Sequence, residues 1–332
     1  MIYSDGYNFV FQRRNKELKV ACIFDEFTYE CFKPECSLMQ LTPENWLSEM
    51  KKFDPDLLFI ESAWAGIDEK WGGKLITAYN EIGELVRYCA VKAVPIVFWN
   101  KEDPYGYDTF LDVARLADVV FTTAGECVEK YKIDLGHQNV YFMHFAAQPE
   151  LFREHLNDDR KDKFCFAGAY YKQFPDRVKI FDAIYDTLDV YKGFDIYDRF
   201  YNDKIRAFPK KYQKSVKGTL KFNEIYKAYC GYRYNVNVNT ITDSETMFAR
   251  RVFELMSAKT IVVSNYSRGL VNYFGDLTIC TDDPNEMIER LSEINRSEQS
   301  YYDFVERCYS RVMGKELYKH RLDTVTKVLF ER

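Results

Sequence analysis

Short apolar runs alternate with helical patterns along most of this chain. The first half carries five such runs, at residues 18–24, 56–62, 95–99, 118–123 and 139–145. The second half carries five more, at residues 164–171, 194–199, 234–239, 261–263 and 277–280. Near-continuous apolar runs are typical of strands buried on both faces of a parallel sheet, and the intervening helices supply right-handed crossovers. The pattern therefore predicts an α/β fold with two successive units of strands and helices.

The alternation stops between Gln148 and Lys163, where a proline precedes a highly charged run. We interpret this stretch as an interdomain linker. A chain of 332 residues also exceeds the ~250–300 residues that a single core usually organises. We therefore predict a first domain of residues 1–155 and a second domain of residues 156–312.

Helical patterns fill the spaces between the predicted strands. The longer ones cover residues 71–93, 109–116, 175–188 and 223–232. The tail from Glu298 onward predicts two more helices, and Gly314 is expected to separate them because glycine is a poor helix former.

The segment from Ser244 to Ala258 predicts a helix that leads into a buried strand over residues 260–264. Its apolar residues recur at the spacing of one helical face; they are Phe248, Val252, Leu255 and Met256. Ser244 is a good N-cap residue. The opposite face carries Met247, Arg250, Arg251 and Glu254. A solvated face with an Arg250–Glu254 pair is the alternative, although such a pair stabilises a helix by only about 0.3 kcal/mol.

The run from Ser244 to Glu254, Ser-x-Thr-Met-Phe-x-Arg-Arg-Val-Phe-Glu, resembles the donor-site helix of GT-B glycosyltransferases, in the branch related to the spore-maturation protein CgeB. Residues 98–104 are a second close match to that branch. The resemblance implies the GT-B architecture, in which two Rossmann-like parallel-sheet domains face each other across a cleft. It also implies that the C-terminal helix, within residues 313–332, crosses back to pack on the first domain.

The resemblance further implies roles for individual residues. Glu254 falls on the position whose carboxylate accepts hydrogen bonds from the nucleotide ribose in retaining members. Many relatives carry a second Glu eight positions earlier, near the sugar, where this chain has Thr246. Residues 167–172 resemble the loop that cradles phosphate, and Gly168 would let the backbone approach an oxyanion. A glycine that merely fits a tight turn is the alternative.

Three arginines complete the predicted donor site. Arg177, Arg250 and Arg251 would supply positive charge to a diphosphate, whose oxygens match the planar guanidinium fork. We expect Arg251 to act in catalysis by stabilising the charge that builds on the leaving diphosphate. The full set of predicted donor residues is Gly168, Tyr170, Tyr171, Arg177, Thr246, Met247, Arg250 and Glu254.

Polar side chains follow three predicted strands of the first half. Ligands bind at the carboxyl ends of strands in open α/β sheets, so we expect this edge to hold the acceptor. The predicted acceptor residues are Asp25, Glu26, Trp64 and Lys101. Glu102 and Asp103 are the candidate catalytic carboxylates, for which a solvated charged loop is the alternative.

Composition narrows the class of protein. A net charge of −5 argues against a nucleic-acid-binding protein. Nine scattered cysteines favour reduced thiols over a disulfide framework or a zinc site. No run reaches the ~18 apolar residues of a membrane span, and residues 1–6 lack a signal-peptide core, so we expect a cytoplasmic protein. Peripheral membrane association and the oligomeric state stay open.

These observations together predict a glycosyltransferase that uses a nucleoside-diphosphate sugar and needs neither metal nor resident cofactor. Its acceptor would be a glycan, such as a cell-envelope polysaccharide, or another cell-surface or small molecule, and retention of the anomeric configuration is expected from the donor-helix resemblance. Three alternatives remain open: a sugar-nucleotide epimerase, a polyol-phosphate transferase suited by the basic stretch Lys210–Lys221, and a nucleotide-sugar-binding protein without turnover.

Overall fold

The ten predicted strands and two further ones form two parallel sheets in the computed structural model, which describes residues 18–77, 81–157 and 159–331. Each sheet has six strands and belongs to its own structural unit. The first unit runs to Phe145 and also includes Tyr318–Arg332, while the second unit covers Ala146–Leu317. The charged stretch interpreted as a linker lies in the second unit, whose first strand begins at Lys161.

The first sheet has the strand order β2-β1-β3-β4-β5-β6, and all neighbouring strands run parallel. Its strands are β1 (Lys19–Ile23), β2 (Ser37–Gln40), β3 (Leu57–Glu61), β4 (Ile96–Asn100), β5 (Val119–Thr122) and β6 (Val140–Phe142). Strands β3 and β4 are buried along their whole length, as their continuous apolar runs predict. Strand β2 escaped prediction because it is a half-buried edge strand of only four residues.

Six helices of the first unit alternate with these strands. They are α1 (Glu26–Phe32), α2 (Trp46–Phe53), α3 (Lys74–Thr77), α4 (Glu81–Lys92), α5 (Tyr107–Ala114) and α6 (Cys127–Leu135). Helix α1 was not predicted; Asp25 begins it by accepting a hydrogen bond from the backbone N of Thr28 at 2.8 Å. The single helix expected over residues 71–93 is observed as α3 and α4, and residues 78–80 lie outside the described residues.

The second sheet has the strand order β12-β11-β10-β7-β8-β9 and is also parallel throughout. Its strands are β7 (Lys161–Gly168), β8 (Phe194–Asp198), β9 (Val216–Gly218), β10 (Tyr232–Asn237), β11 (Ile261–Ser264) and β12 (Ile279–Cys280). Its helices are α7 (Pro175–Lys192), α8 (Tyr226–Tyr229), α9 (Arg251–Ser257), α10 (Arg268–Phe274), α11 (Pro284–Ile294) and α12 (Glu298–Lys315). Strand β9 was not predicted, because it lies within a lysine-rich stretch that lacks an apolar run.

Several predicted helices have different limits in the structure. The helix expected from Ser244 begins only at Arg251, and an irregular loop precedes it. The helix expected over residues 223–232 ends at Tyr229, because Tyr232 already pairs in the sheet. Gly314 lies inside α12, so the two C-terminal helices separate after it, beyond Lys315.

The last helix, α13 (Tyr318–Phe330), packs on the first unit, as the GT-B resemblance implies. The ring of Tyr318 is fully buried and meets the ring of Phe32 edge-on at 4.9 Å. Arg321 donates hydrogen bonds to the backbone oxygens of His144 and Phe145, at 2.9 and 2.7 Å. Each large apolar side chain that α13 buries contributes roughly 1.5–3 kcal/mol, so the helix is an integral part of this unit.

Candidate active site

Side chains from neighbouring elements hold residues 242–250 as an irregular loop, here called the 242–250 loop. The hydroxyl of Ser244 accepts a hydrogen bond from the backbone N of Met247 at 2.9 Å. The amide oxygen of Asn239 accepts one from the backbone N of Ala249 at 2.8 Å. Because side chains satisfy these backbone groups, the loop does not need helical hydrogen bonds. Ser244 therefore caps a local turn, and the predicted long helix is wrong in this part.

Helix α10 approaches the 242–250 loop at a glycine. A Cβ atom added to Gly269 would lie 2.8 Å from the backbone oxygen of Met247 and 2.8 Å from the carbonyl carbon of Thr246. Asn272 of the same helix donates to the backbone oxygen of Glu245 at 3.0 Å. The loop thus rests directly on the helix backbone, and only glycine leaves room for it at this point.

Arg251 begins helix α9 and places its guanidinium beside the end of strand β7. Its central carbon lies 4.9 Å from the centre of the Phe166 ring. A Cβ atom on Gly168 would come within 2.9 Å of Nη2 of Arg251. The φ angle of Gly168 is not positive, so the glycine serves this close approach rather than a left-handed turn. The Nε of Arg251 is buried and has no hydrogen-bond partner among the residues that the structure describes.

Arg177 adds a second guanidinium to the same place. It lies in the first turn of α7, is buried, and donates to the backbone oxygen of Ala169 at 3.2 Å. Its guanidinium carbon lies 5.0 Å from the centre of the Tyr171 ring, and no acceptor in the described part of the chain meets its Nε. Burial, followed by the charge of Arg251, lowers the pKa of Arg177 to about 10.

Neither Arg177 nor Arg251 forms an ion pair with any residue in the described ranges. Two guanidinium groups that repel each other and lack a carboxylate are costly unless an anion joins them. Planar guanidinium groups bind phosphate oxygens through paired hydrogen bonds. This arginine pair, Arg177 with Arg251, is therefore suited to bind a phosphate-bearing ligand beside Gly168.

Glu254 lies one turn after Arg251 and is almost completely buried. Its Oε1 is 2.8 Å from Nε of Arg250, whose side chain is one-third exposed. The Arg250–Glu254 pair of the alternative interpretation is thus present, but its carboxylate is buried, so the helix face is not solvated at Glu254. Such a carboxylate needs strong partners, because burying an ionised group is expensive without them.

The other predicted donor residues lie in different settings. The ring of Tyr170 packs against Phe181 and Phe208, and its hydroxyl donates to Asp182 at 2.8 Å. Tyr170 thus belongs to the core of the second unit. Thr246 and Met247 are half-buried in the 242–250 loop.

Asparagines at the carboxyl end of β10 form a buried cluster that the sequence reasoning missed. The Nδ2 groups of Asn237 and Asn239 both donate to the hydroxyl of Ser264, at 3.0 and 3.1 Å. Asn265 exchanges hydrogen bonds with the backbone of Asn239. These bonds fix Asn239, which in turn holds the 242–250 loop through Ala249.

In the first unit, a buried lysine joins two carboxylates at the carboxyl ends of three adjacent strands. Lys101 follows β4, and its Nζ lies 2.5 Å from Oε2 of Glu61 and 3.1 Å from Oδ2 of Asp25. It also donates to the hydroxyl of Thr28 at 2.7 Å. Burial and the charge of Asp25 raise the pKa of Glu61. Glu61 and Lys101 are buried, whereas the side chain of Asp25 is 41% exposed, so Asp25 alone presents its carboxylate outward.

Asp103 is fully buried and lies in a closed set of hydrogen bonds. It accepts from Nδ2 of Asn100 at 2.8 Å, from the hydroxyl of Thr122 at 2.6 Å and from the hydroxyl of Tyr131 at 3.3 Å. Burial raises its pKa to about 7. With no exposed surface and its oxygens in use, Asp103 holds the loop after β4 and does not reach a substrate.

The remaining first-unit candidates lie nearer the surface. Trp64 is 48% exposed and meets the ring of Phe110 edge-on at 5.3 Å. Glu26 is exposed in the first turn of α1, and Glu102 is half-buried. Within the described ranges, no group of three or more His, Cys, Asp or Glu side chains is arranged to hold a metal ion. No described helix is both long enough and apolar enough to cross a bilayer.

Comparison with known families decides the class of this protein. A family model described as "Glycosyl transferase-like" matches residues 150–327, which is more than half of the chain. The chain belongs to this glycosyltransferase family. The match includes Arg177, Arg251 and the 242–250 loop, whereas the first-unit candidates such as Asp25 and Lys101 lie outside it.

Relatives and solved structures agree with this assignment. The glycosyltransferase is 25% identical over 134 residues to the spore protein CgeB of Bacillus subtilis, a match that spans 40% of this chain and 37% of that protein. Its fold is similar to a UDP-forming trehalose-phosphate synthase from Burkholderia xenovorans, with a TM-score of 0.53 and 10% identity over 92% of this chain and 79% of the other.

A second similar structure, from Listeria monocytogenes, is described as a UDP-N-acetylglucosamine 2-epimerase; it has a TM-score of 0.52 and 9% identity, and the match covers 95% and 98% of the two chains. At these identities the structural likeness shows the fold alone. It confirms the predicted two-domain GT-B architecture.

The structure groups the predicted site residues of this glycosyltransferase into three clusters. Gly168, Tyr171, Arg177 and Arg251 form the first. Arg250 and Glu254 form the second, and Asp25 and Lys101 form the third. Glu61 ends a predicted strand at the same edge but is not among the predicted acceptor residues; the structure adds it to the third cluster as a partner of Lys101.

Proposed function

We propose that this glycosyltransferase takes its sugar from a nucleoside-diphosphate donor that the second unit binds. The arginine pair carries the proposal. A buried guanidinium group (Arg177) and a half-buried one (Arg251), neither of which pairs with a carboxylate of the described residues, lie beside a glycine that admits close approach and supply the donors and the charge that a diphosphate requires. Because negative charge builds on the diphosphate as the glycosidic bond breaks, Arg251 would stabilise the transition state more than the bound donor.

Glu254 is proposed to bind the ribose of the donor. A carboxylate accepts hydrogen bonds from two neighbouring hydroxyls, and the contact with Arg250 orients this one. The 242–250 loop, held by Asn239 and Gly269, would then fix the distance between the ribose site and the diphosphate site.

On the first unit, Asp25 is proposed to bind an acceptor hydroxyl. Its backbone N donates to Glu61 at 2.5 Å and its carboxylate meets Lys101, so its position is determined from two sides. The acceptor is expected to be a glycan, such as a cell-envelope polysaccharide, or a smaller molecule with several hydroxyls. Trp64 adds an exposed aromatic face on which a sugar ring can stack.

Retention of the anomeric configuration and independence from divalent metal are part of the proposal. Retention is supported by the resemblance of residues 244–254 to the donor helix of retaining enzymes. Independence from metal is supported by the arginine pair, which would offset the diphosphate charge by itself. No resident cofactor is proposed, and the sugar nucleotide is a co-substrate.

A thermal-shift screen of nucleoside-diphosphate sugars tests the proposal first, because a ligand that binds only the folded state raises the melting temperature. The sugar nucleotide that gives the largest shift is then incubated with candidate glycans, with and without EDTA. We expect release of the nucleoside diphosphate, a glycosylated product with the anomeric configuration of the donor, and no effect of EDTA. Arg251→Gln is assayed in the same way. Its control is Arg296→Gln, which alters an exposed arginine of the same unit.

Each other outcome identifies a different function. Conversion of the sugar nucleotide into an isomer, without an acceptor, would favour an epimerase. A shift with cytidine-diphosphate polyols alone would favour polyol-phosphate transfer. Binding without any product, over a broad set of acceptors, would favour a nucleotide-sugar-binding role.

A further inference from the structure

Basic side chains of this protein are concentrated in one segment. Residues 199–221 contain eight Lys or Arg and one Asp, a net charge of +7. The other 309 residues contain 38 Lys or Arg and 50 Asp or Glu, a net charge of −12. The arginine pair and Glu254 lie outside the segment, so the proposed transfer reaction does not explain this separation of charge.

Residues 199–221 follow the outer edge of the second sheet. The segment leaves the carboxyl end of β8, returns to its amino end and then forms β9, the edge strand, which runs parallel to β8. It therefore extends along the whole length of the sheet edge, about 17 Å for five strand residues. All eight basic side chains are exposed, and we call this surface the basic edge; they are Arg199, Lys204, Arg206, Lys210, Lys211, Lys214, Lys217 and Lys221.

The basic edge has a well-fixed inner side. Asp198 is buried and accepts hydrogen bonds from the backbone N atoms of Phe200 and Phe208, at 2.8 and 2.9 Å. The ring of Tyr212 is fully buried against Phe208, with ring centres 5.4 Å apart, and its hydroxyl bonds to Asp182. Because these inward residues determine the path of the chain, the basic side chains are directed outward together.

Most of the positive charge on this surface is not balanced locally. Three of the eight basic residues pair with carboxylates: Arg206 with Asp203, Lys211 with Asp182 and Lys217 with Asp195. The other five form no ion pair with the residues that the structure describes.

Two apolar or aromatic side chains project from the middle of this charge. Ile205 is 81% exposed and Tyr201 is 52% exposed. The carboxylate of Asp203 accepts from the backbone N atoms of Ile205 and Arg206, both at 2.9 Å, and Lys172 donates to the backbone oxygen of Ile205 at 2.6 Å. A tightly bonded turn thus holds an aliphatic side chain in water between two cations. An apolar tip flanked by cations is the composition of surfaces that enter the headgroup region of a bilayer.

We propose that the basic edge docks this glycosyltransferase on a bilayer that contains anionic lipids, with Ile205 and Tyr201 inserted among the headgroups. Each Lys or Arg near such a surface contributes to attraction, and the apolar tip adds burial that a soluble polyanion does not offer. The acidic remainder of the chain is repelled by the same lipids, so binding is expected in one orientation.

Vesicle co-sedimentation of the full chain tests this inference. Phosphatidylcholine vesicles with and without phosphatidylglycerol are compared at low and high salt. We expect binding only to the vesicles with phosphatidylglycerol, and loss of binding as salt screens the charges. The combined substitutions Lys204→Gln, Lys210→Gln and Lys214→Gln should reduce the partition coefficient by a factor on the order of 10–100.

A matched variant controls for the loss of charge alone. Lys51→Gln, Lys52→Gln and Lys92→Gln also remove three exposed lysines, but from helices of the first unit, and should leave binding unchanged or only slightly weaker. Ile205→Ser should weaken vesicle binding at unchanged charge. Circular dichroism of each variant establishes that it is folded.

Equal binding to both kinds of vesicle, equal losses in the two triple variants, or no binding to either kind would overturn the inference. Binding to heparin as tight as to vesicles, with Ile205→Ser having no effect, would instead assign the basic edge to a soluble polyanion. Sugar transfer is not part of the readout, so failure here leaves the proposed function untouched, and the reverse also holds.

Discussion

Replacing Arg251 with Gln should leave the free protein as stable as before and still weaken its binding of a nucleoside diphosphate. Removing one member of a buried ion pair has the opposite effect, because it leaves the partner's charge unpaired at a cost of about 3–5 kcal/mol. Arg251 has no carboxylate partner within the described ranges, and it lowers the pKa of its neighbour Arg177. Its removal therefore relieves a repulsion.

The magnitude follows from Arg177. A pKa lowered to about 10 corresponds to roughly 3 kcal/mol against the charged form, at about 1.4 kcal/mol for each pKa unit. Burial accounts for the larger part, so relief from Arg251→Gln is expected to be about 1 kcal/mol. Loss of the contact with the Phe166 ring, 4.9 Å away, costs a similar amount, about 1 kcal/mol. The two effects nearly cancel, and the free energy of unfolding should change by less than about 1 kcal/mol.

Binding should respond differently. A charge-assisted hydrogen bond contributes about 1.5–3 kcal/mol, so the affinity for a nucleoside diphosphate should fall roughly 10-fold to 150-fold. Urea denaturation gives the stability and calorimetry gives the affinity. Arg160→Gln is the contrasting variant, because Arg160 donates to the backbone oxygens of Asn157 and Ala258 at 3.0 and 2.8 Å. It should destabilise the protein without changing the affinity. Our reasoning fails if Arg251→Gln costs more than about 3 kcal/mol of stability or binds the nucleotide normally.

Three further predictions concern the loop, a buried carboxylate and the last helix. Gly269→Ala should displace the 242–250 loop, because the new Cβ meets backbone atoms at 2.8 Å. The nucleotide affinity measured by calorimetry should fall at least tenfold, on the order expected for one lost charge-assisted contact. The control is Gly314→Ala, whose new Cβ meets no atom of the described residues within 4 Å and which should stabilise α12 by up to about 1 kcal/mol. Burial raises the pKa of folded Asp103 to about 7, against about 4 in the unfolded chain, so its contribution to stability is complete below about pH 4 and is lost as the pH rises to about 7. Urea titrations should show the stability of the wild type falling over this range by at most about 1.4 kcal/mol per pH unit, with a smaller slope in Asp103→Asn. Equal slopes in the two proteins would contradict the raised pKa. Tyr318→Ala should cost about 3–5 kcal/mol in thermal or urea unfolding because a large buried ring is lost from the first unit, and a loss below about 1 kcal/mol would mean that α13 is not required for that unit.

The sequence predicted the sheets well because their central strands are buried on both faces. The runs of β3 and β4 are continuous apolar stretches bounded by polar residues, a pattern that is typical of strands in a parallel sheet. Strands β2 and β9 escaped because edge strands carry half-exposed or charged residues, and their pairing depends on neighbours distant in sequence.

The site was harder to predict than the fold. The segment before Arg251 has helical periodicity, yet residues distant in sequence determine its conformation. Asn239 accepts a hydrogen bond from the backbone N of Ala249, and Gly269 leaves room for the loop backbone. Propensity yields to such tertiary contacts. Arg177 and Arg251 stay predicted site residues; their close approach, which carries the proposal, is a property of three-dimensional packing that the sequence does not reveal.

The most direct test of the central claim is calorimetry with a nucleoside, its monophosphate and its diphosphate, using the base selected by the thermal-shift screen. The account predicts that most of the affinity appears with the phosphates, and that this gain disappears when Arg177→Gln and Arg251→Gln are combined. If the nucleoside and the diphosphate bind equally well, or if the combined variant keeps the full gain, the arginine pair does not bind the diphosphate and the account is wrong.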